Sequence, residues 1–261
     1  MKKILRRLHW ILSAQFGLNL LALLLSMRGL PRYTRDWVKF RRDFAGRIAF
    51  VPCLHDWYEE AGSTKSEYFW QDFLVARWIF DARPVRHVDV GSRVDGFVAH
   101  LAVFREIEVF DVRPIEAKVE NIRFVQADLM SSRRLPEIPG GYCDSLSCLH
   151  ALEHFGLGRY GDPIDPLGHE KGLANMARLL TRGGIFYLSV PIGQECVEFN
   201  ANRIFDPRAI LSLAQRNALS LKRLVVIRPG KEGEEVNPDV EALNELAEQP
   251  YGLGIFVFSK E

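Results

Sequence analysis

The hydrophobic positions fall into two regimes along the chain. From Trp10 to Met27, eighteen successive residues carry no formal charge, and Lys2, Lys3, Arg6 and Arg7 precede them. Eighteen residues at about 1.5 Å each make a helix of about 27 Å, just short of the roughly 30 Å hydrocarbon layer of a bilayer. Gln15, Asn19 and Ser26 would share one side of that helix. A polar stripe suits a helix lying in the membrane interface, or packed on its own protein, better than one spanning alone. The expectation is a membrane anchor or interfacial helix, with packing on the body and export as competing readings.

Further along, apolar runs and helical spacings alternate. Ser66–Phe80 reads as an amphipathic helix closed by Pro84. Strands are predicted at His87–Gly91, Ile107–Asp111, Ile122–Asp128, Cys143–Leu149 and Ile185–Val190, with helices near Val94–Phe104 and Glu170–Leu180. A helix at Pro207–Arg216, a strand at Leu219–Ile227, a helix at Asp239–Glu248 and a strand at Gly254–Phe258 follow. The alternation implies an α/β fold, a doubly wound Rossmann-like sheet of about seven strands covered on both faces. It is mostly parallel, and the two late strands predict an antiparallel pair at its edge. The domains expected are a basic, apolar helical segment at 1–50 and a domain at 51–261 with its core at 85–192.

Composition changes this picture in two places. With 48% hydrophobic and 26% charged residues among 261, the chain is neither disordered nor collagen-like. Cys53, Cys143, Cys148 and Cys196 form no CxxC pair, so no zinc ribbon or disulfide framework is written, and a reducing compartment fits. The formal charge of +1 divides into +9 over residues 1–50 and −8 over the rest. An anionic membrane surface, met through residues 1–47 on its cytoplasmic face, is the partner this asymmetry suggests. The acidic body, without a basic stripe interleaved with aromatics, argues against nucleic acid.

Three predicted strands end in acids, Asp89, Asp111 and Asp128, and ligands of open α/β sheets sit outside such ends. Asp111 follows Asp89 by twenty-two residues, the interval at which an acid after the second strand meets ribose hydroxyls. Between them the glycine pattern is Gly91-Ser-Arg-Val-Asp-Gly96, with Arg93 where a dinucleotide's diphosphate needs bare backbone, and Asp95 opposes a diphosphate by charge.

In order, VDVGSRVDG, VFDVRP, FVQADL, CDSLSCLHALEH and LLTRGGIFYLSVP resemble the successive motifs of class I S-adenosylmethionine-dependent methyltransferases, over residues 85–192. More narrowly, CLHALEHFGLGRYGDPIDPLG and FNANRIF resemble an uncharacterised branch carrying CLHxxEHxGLGRYGDxxDP, with Asn202 where that branch has His. The resemblance implies S-adenosylmethionine as cofactor. Asp89 and Gly91 would border its methionine end, Asp111 its ribose, Asp128 its adenine amino group, and Cys148, Leu149 and His150 the floor beside the sulfonium; Asp95 and Leu129 are further cofactor-binding candidates. A hydroxyl acceptor needs its proton removed as the methyl arrives, and His154 with Glu153, or His150, are the candidate catalytic residues. Arg159, Tyr160 and Asp162 on the glycine-rich loop, with Asn200 and Arg203, would bind a small-molecule or sugar-type acceptor, in keeping with glycan or glycolipid biosynthesis.

Two other classes compete. His150-Ala-Leu-Glu153-His154 is also HxxEH, the inverted zincin pattern, which implies a zinc hydrolase if it lies in a stable helix with a third ligand. Gly156 and Gly158 leave room for two helical turns at most, so no metal is expected. Arg93 and Asn202 suggest the third reading, a non-catalytic binding protein of the same fold at a membrane.

Overall fold

The computed structural model describes residues 2–131 and 140–261. The chain forms two compact units, Met1–Ser63 and Thr64–Glu261. The boundary between them lies after Ser63, thirteen residues beyond the expected end of the basic segment at residue 50.

In the first unit, α1 (Lys2–Phe16) and α2 (Leu20–Asp43) replace the single helix expected over Trp10–Met27. Gly17 takes φ +69, open to a residue without Cβ, and Asn19 caps α2 by accepting from the Ala22 amide at 3.0 Å. Hydropathy alone hid these two turn formers. Among the described residues, no helix is long and apolar enough to cross a membrane.

The second unit opens with α3 (Glu67–Ala82), capped by the Ser66 hydroxyl and ended by Arg83 at φ 48. Then come β1 (His87–Val90), a π-helical turn at Val94–Val98, and α4 (Ala99–Ala102). The longer helix expected over Val94–Phe104 is interrupted at Gly96, whose φ −122 and ψ −117 are not helical. Next are β2 (Ile107–Asp111), β3 (Ile122–Gln126), β4 (Cys143–Leu149), α5 (Gly168–Leu179) and β5 (Leu180–Ile192). A small hairpin, β6 (Cys196–Glu198) with β7 (Asn202–Ile204), precedes α6 (Pro207–Arg216) and β8 (Leu219–Ile227). The chain finishes with β9 (Gly233–Glu235), α7 (Val240–Glu248) and β10 (Gly252–Lys260).

The main sheet has the order β3-β2-β1-β4-β5-β10-β8-β9. β1 to β5 are mutually parallel, and β10 runs antiparallel between β5 and β8. The late antiparallel pair therefore forms inside the sheet. The edge is the eighth strand, β9, whose three residues Gly-Glu-Glu carry no apolar signal. Val90, Leu146, Leu188 and Phe256 pack with Leu173 and Met176 of α5 and Ile210 of α6 on one face. Val109, Leu149, Tyr187 and Ile255 pack with Val75 and Ile79 of α3 on the other. Strands buried on both faces read as continuous apolar runs, which is why the sequence marks them well. The strand order reverses between β1 and β4, and ligands of open α/β sheets sit outside the carboxyl ends of the strands at such a reversal.

Candidate active site

Gly91 turns the chain out of β1 at φ +77, and a Cβ there would lie 2.8 Å from the Ala151 Cβ, so the bare backbone is a steric requirement. The three acids do reach the carboxyl edge, but each already has partners. Asp89 is fully buried and accepts from the Ser92 amide (3.0 Å) and from the Ser92 and Ser147 hydroxyls (2.8 and 2.5 Å). Burial pushes its carboxyl up to about 7 against those bonds. Asp111 accepts from Arg113 at both oxygens, Nε to Oδ1 at 3.0 Å and Nη2 to Oδ2 at 2.7 Å. Asp128 holds a turn by accepting from the Met130 amide at 2.9 Å. Asp95 is exposed and forms a two-point pair with Arg93.

The apolar neighbours lie elsewhere than expected. The Leu129, Cys148 and Leu149 side chains are buried in the core, Cys148 against the α5 face and Leu149 against the α3 face, so only their backbone is left to line a cleft.

After β4 the chemistry is denser. His150, at φ 51, donates from its amide to the Ser189 carbonyl, and its imidazole stacks on Tyr68 with 4.6 Å between centroids. Its Nδ1 lies 2.7 Å from Glu153 Oε1 and its Nε2 3.3 Å from Glu67 Oε1. Tyr251 OH donates to the same Glu67 oxygen at 2.5 Å. Burial by itself would depress His150, but the two carboxylates outweigh it and push the imidazole up to about 9. His150 is thus an imidazolium at neutral pH, a charged fixture that cannot accept a proton.

His154 is its opposite. Its Nδ1 donates to the Ala201 carbonyl at 2.7 Å, which leaves Nε2 as the basic nitrogen, 3.7 Å from Glu153 Oε1. Burial lowers its pKa from the ordinary histidine value, only partly countered by Glu153. Glu153 is fully buried, and its Oε2 has no hydrogen-bond partner among the described residues. The His-x-x-Glu-His pattern lies on a three-residue turn, Leu152–His154. The helix that would bring both imidazoles to one metal is absent from this stretch, and the His150 nitrogens face carboxylates. That geometry gives no support to the zinc hydrolase reading.

The glycine-rich loop owes most of its sequence to its own shape. Gly156, Gly158 and Gly161 take φ +78, +70 and +86, and a Cβ on Gly156 would lie 1.9 Å from the Asp165 carbonyl oxygen. The Asp162 carboxylate accepts from the amides of Gly156 (2.8 Å), Gly158 (3.2 Å) and Tyr160 (3.2 Å). Arg203, buried, donates to the carbonyls of Glu153 (3.2 Å), Phe155 (2.6 Å) and Pro166 (3.3 Å). Of these two acceptor candidates, Asp162 closes the loop on itself and Arg203 ties it to the Glu153 turn. Asn200 is exposed on the turn joining β6 to β7. That turn supplies the Ala201 carbonyl, which takes bonds from His154 and from Arg159 (2.9 Å). Tyr160 lies beneath the guanidinium groups of Arg113 (4.4 Å) and Arg159 (5.1 Å) and edge-on to His154. It therefore joins the Asp111 corner to the His154 corner.

Sequence reasoning missed Glu67, Tyr68, Ser189 and Tyr251, which come from distant parts of the chain, and Arg113, which stands two residues from Asp111.

The comparisons follow this architecture. A family model described as "Caenorhabditis protein of unknown function, DUF268" matches residues 140–214, from β4 through the glycine-rich loop and β7 into α6. No curated protein matches the chain. Among solved structures, a putative sarcosine dimethylglycine methyltransferase from Galdieria sulphuraria is 12% identical, with a TM-score of 0.50 over 73% of this chain and 84% of that one. The Burkholderia thailandensis 1,6-didemethyltoxoflavin-N1-methyltransferase, solved with S-adenosylhomocysteine, is 14% identical over 78% and 80%, with a TM-score of 0.49. NodS, an N-methyltransferase from Bradyrhizobium japonicum also solved with S-adenosylhomocysteine, is 11% identical over 76% and 89%, again at 0.49. At such identity a likeness defines the fold: the second unit has the Rossmann-like fold found in class I methyltransferases.

Proposed function

We propose that the Thr64–Glu261 unit is an S-adenosylmethionine-dependent methyltransferase acting on a small-molecule or sugar-type acceptor. The observation that carries the reading is the pairing, across the β1/β4 reversal, of a rim acid with a neutral, tautomer-fixed histidine: Asp111 on one side, His154 on the other. Gly91 leaves backbone bare at the turn, and Asp111 offers two oxygens to a ribose. Its partner Arg113 is half-exposed and two residues away. With its guanidinium half in solvent, Arg113 can give way to a ligand that bonds Asp111 better. When bound, S-adenosylmethionine supplies an electrophilic methyl on a good leaving group. His154 takes the acceptor's proton at Nε2, and Glu153 stabilises the imidazolium that results. Glu153 Oε2, without a hydrogen-bond partner among the described residues, is the atom left to receive a hydrogen bond from the acceptor. His150 holds Glu153 in place and carries no proton in the reaction. A lipid-linked sugar at an anionic membrane surface, as in glycolipid biosynthesis, is the acceptor class that suits both the acidic body and the basic N-terminal unit.

Calorimetry of the full chain with S-adenosylhomocysteine, with NAD and ATP as controls, tests the cofactor. Binding of S-adenosylhomocysteine alone, weakened in Asp111→Asn, is expected; no binding, or preference for a diphosphate, sinks the assignment. Binding without methyl transfer to any component of a cell extract would instead favour the non-catalytic reading.

A further inference from the structure

α2 presents three different faces. One is covered from within its own unit: a Cβ on Gly29 would lie 1.9 Å from the Leu54 carbonyl oxygen, Ser26 Oγ lies 3.4 Å from His55 Nδ1, and Tyr33 packs edge-on against Phe50. A second face is basic. At about 100° per residue, Arg28, Arg32, Arg35, Lys39 and Arg42 fall in one sector roughly 80° wide. The third face, adjoining the basic one, holds Leu23, Met27, Leu30, Trp37 and Val38 within about 100°. These five are 41–59% exposed, so this stripe is not the unit's own core. Sixteen residues from Leu23 to Val38 extend it for about 24 Å.

Deepening the membrane element of the function proposed above, we propose that α2 lies in the plane of an anionic bilayer. Leu23, Met27, Leu30, Trp37 and Val38 enter the headgroup–acyl boundary, and Arg28, Arg35, Lys39 and Arg42 meet lipid phosphates. Charge complementarity selects the occupant. The helix carries six cations against Asp36 and Asp43; five of them stand along one margin of the apolar stripe, the arrangement by which an interfacial helix holds both acyl chains and phosphates, and the sixth, Arg41, falls on the stripe's own side beyond Val38, where it donates to the Phe44 and Gly46 carbonyls. An apolar stripe of a second copy would bring two basic margins together. The α2 stripe shares only Leu23 and Met27 with the Trp10–Met27 segment that hydropathy singles out, because Gly17 to Asn19 break that segment into two helices; Trp10, Ile11 and Phe16 on α1 are exposed as well.

The test is flotation of the full chain with phosphatidylcholine vesicles containing about a third phosphatidylglycerol, against pure phosphatidylcholine, at low and high salt. Anionic vesicles should bind at least tenfold better, with affinity falling as salt rises. Leu30→Asp with Trp37→Asp should lose at least tenfold, Trp37→Leu should bind like the parent, and Lys39→Ser with Arg42→Ser should flatten the salt dependence. Circular dichroism confirms that each variant keeps its helices. Equal binding by parent and Leu30→Asp/Trp37→Asp, or no preference for anionic vesicles, overturns the proposal. So does a dimer by light scattering that the double variant abolishes, or tighter binding to RNA than to vesicles. Flotation needs neither cofactor nor acceptor, so its outcome is independent of whether the second unit binds S-adenosylhomocysteine.

Discussion

The two halves of the sheet's carboxyl edge are built on different principles. Along β1 to β3 the acids are mostly satisfied by neighbours two or three residues away: Asp111 by Arg113, Asp95 by Arg93, Asp128 by the Met130 amide. After β4 the charges are buried and answered both locally and from far along the chain, His150 by Glu153 three residues on and by Glu67, and Glu67 in turn by Tyr251. A short-range pair with one partner half in solvent can open toward a ligand, whereas a buried charge cluster cannot lose one member without leaving the others uncompensated. The first half is therefore suited to exchanging a local partner for a ligand, and the second to holding a fixed arrangement of protons.

The sharpest way to break this contrast is at His154. His154→Ala should reduce methyl transfer to an extract acceptor by about 10²- to 10⁴-fold, while S-adenosylhomocysteine affinity, read by calorimetry, stays at the parent value. Loss of affinity along with turnover would show that the two halves are not separable. Next in size is Arg203→Met, which leaves the carbonyls of Glu153, Phe155 and Pro166 without their shared donor. It should cost about 3–5 kcal/mol and lower Tm by about 6–15 °C in thermal unfolding. A surface-like change of a degree or two would mean that the loop does not depend on that side chain.

Why the second half was harder to foresee follows from the same contrast. The strands were legible because both faces are buried and their residues run apolar, and the acids were legible because they end those strands. What a carboxylate accepts from is not written in its identity. Asp162 and Arg203 have the chemistry of ligand-binding groups, yet their partners are backbone amides and carbonyls fixed by the positive φ of Gly156, Gly158 and Gly161. Conversely, Glu67 and Tyr251 lie far apart in the chain and meet only because α3 and the start of β10 come together at this edge. In the N-terminal unit the average apolarity of eighteen residues outweighed, in the sequence reading, the two that break the helix.

A third effect is expected in stability against pH. His150 has a folded pKa raised to about 9 from 6.5. Its ion pairs therefore stabilise fully below pH 6.5, and that contribution is lost as pH rises through 9. Urea unfolding of the parent should lose up to about 3 kcal/mol between pH 6.5 and 9.5, relative to His150→Gln, in which the slope over that window flattens. A parent that gains stability relative to His150→Gln over the same interval would mean that the imidazole is neutral and that the cluster is not held by charge.

The smallest effect separates the two halves most cleanly, because its sign is unusual. Arg113 holds both oxygens of Asp111 and also stands over Tyr160. If Asp111 is a ribose acceptor waiting behind a replaceable partner, removing that partner helps the ligand. Arg113→Ala should tighten S-adenosylhomocysteine binding by about three- to tenfold, the equivalent of roughly 1 kcal/mol, while Asp111→Asn weakens it by at least as much. Weaker binding in both variants would give Arg113 a different part, as a direct contact to the ligand, and would make the rim a fixed assembly like its counterpart after β4. Equal binding in both would remove Asp111 from the site altogether.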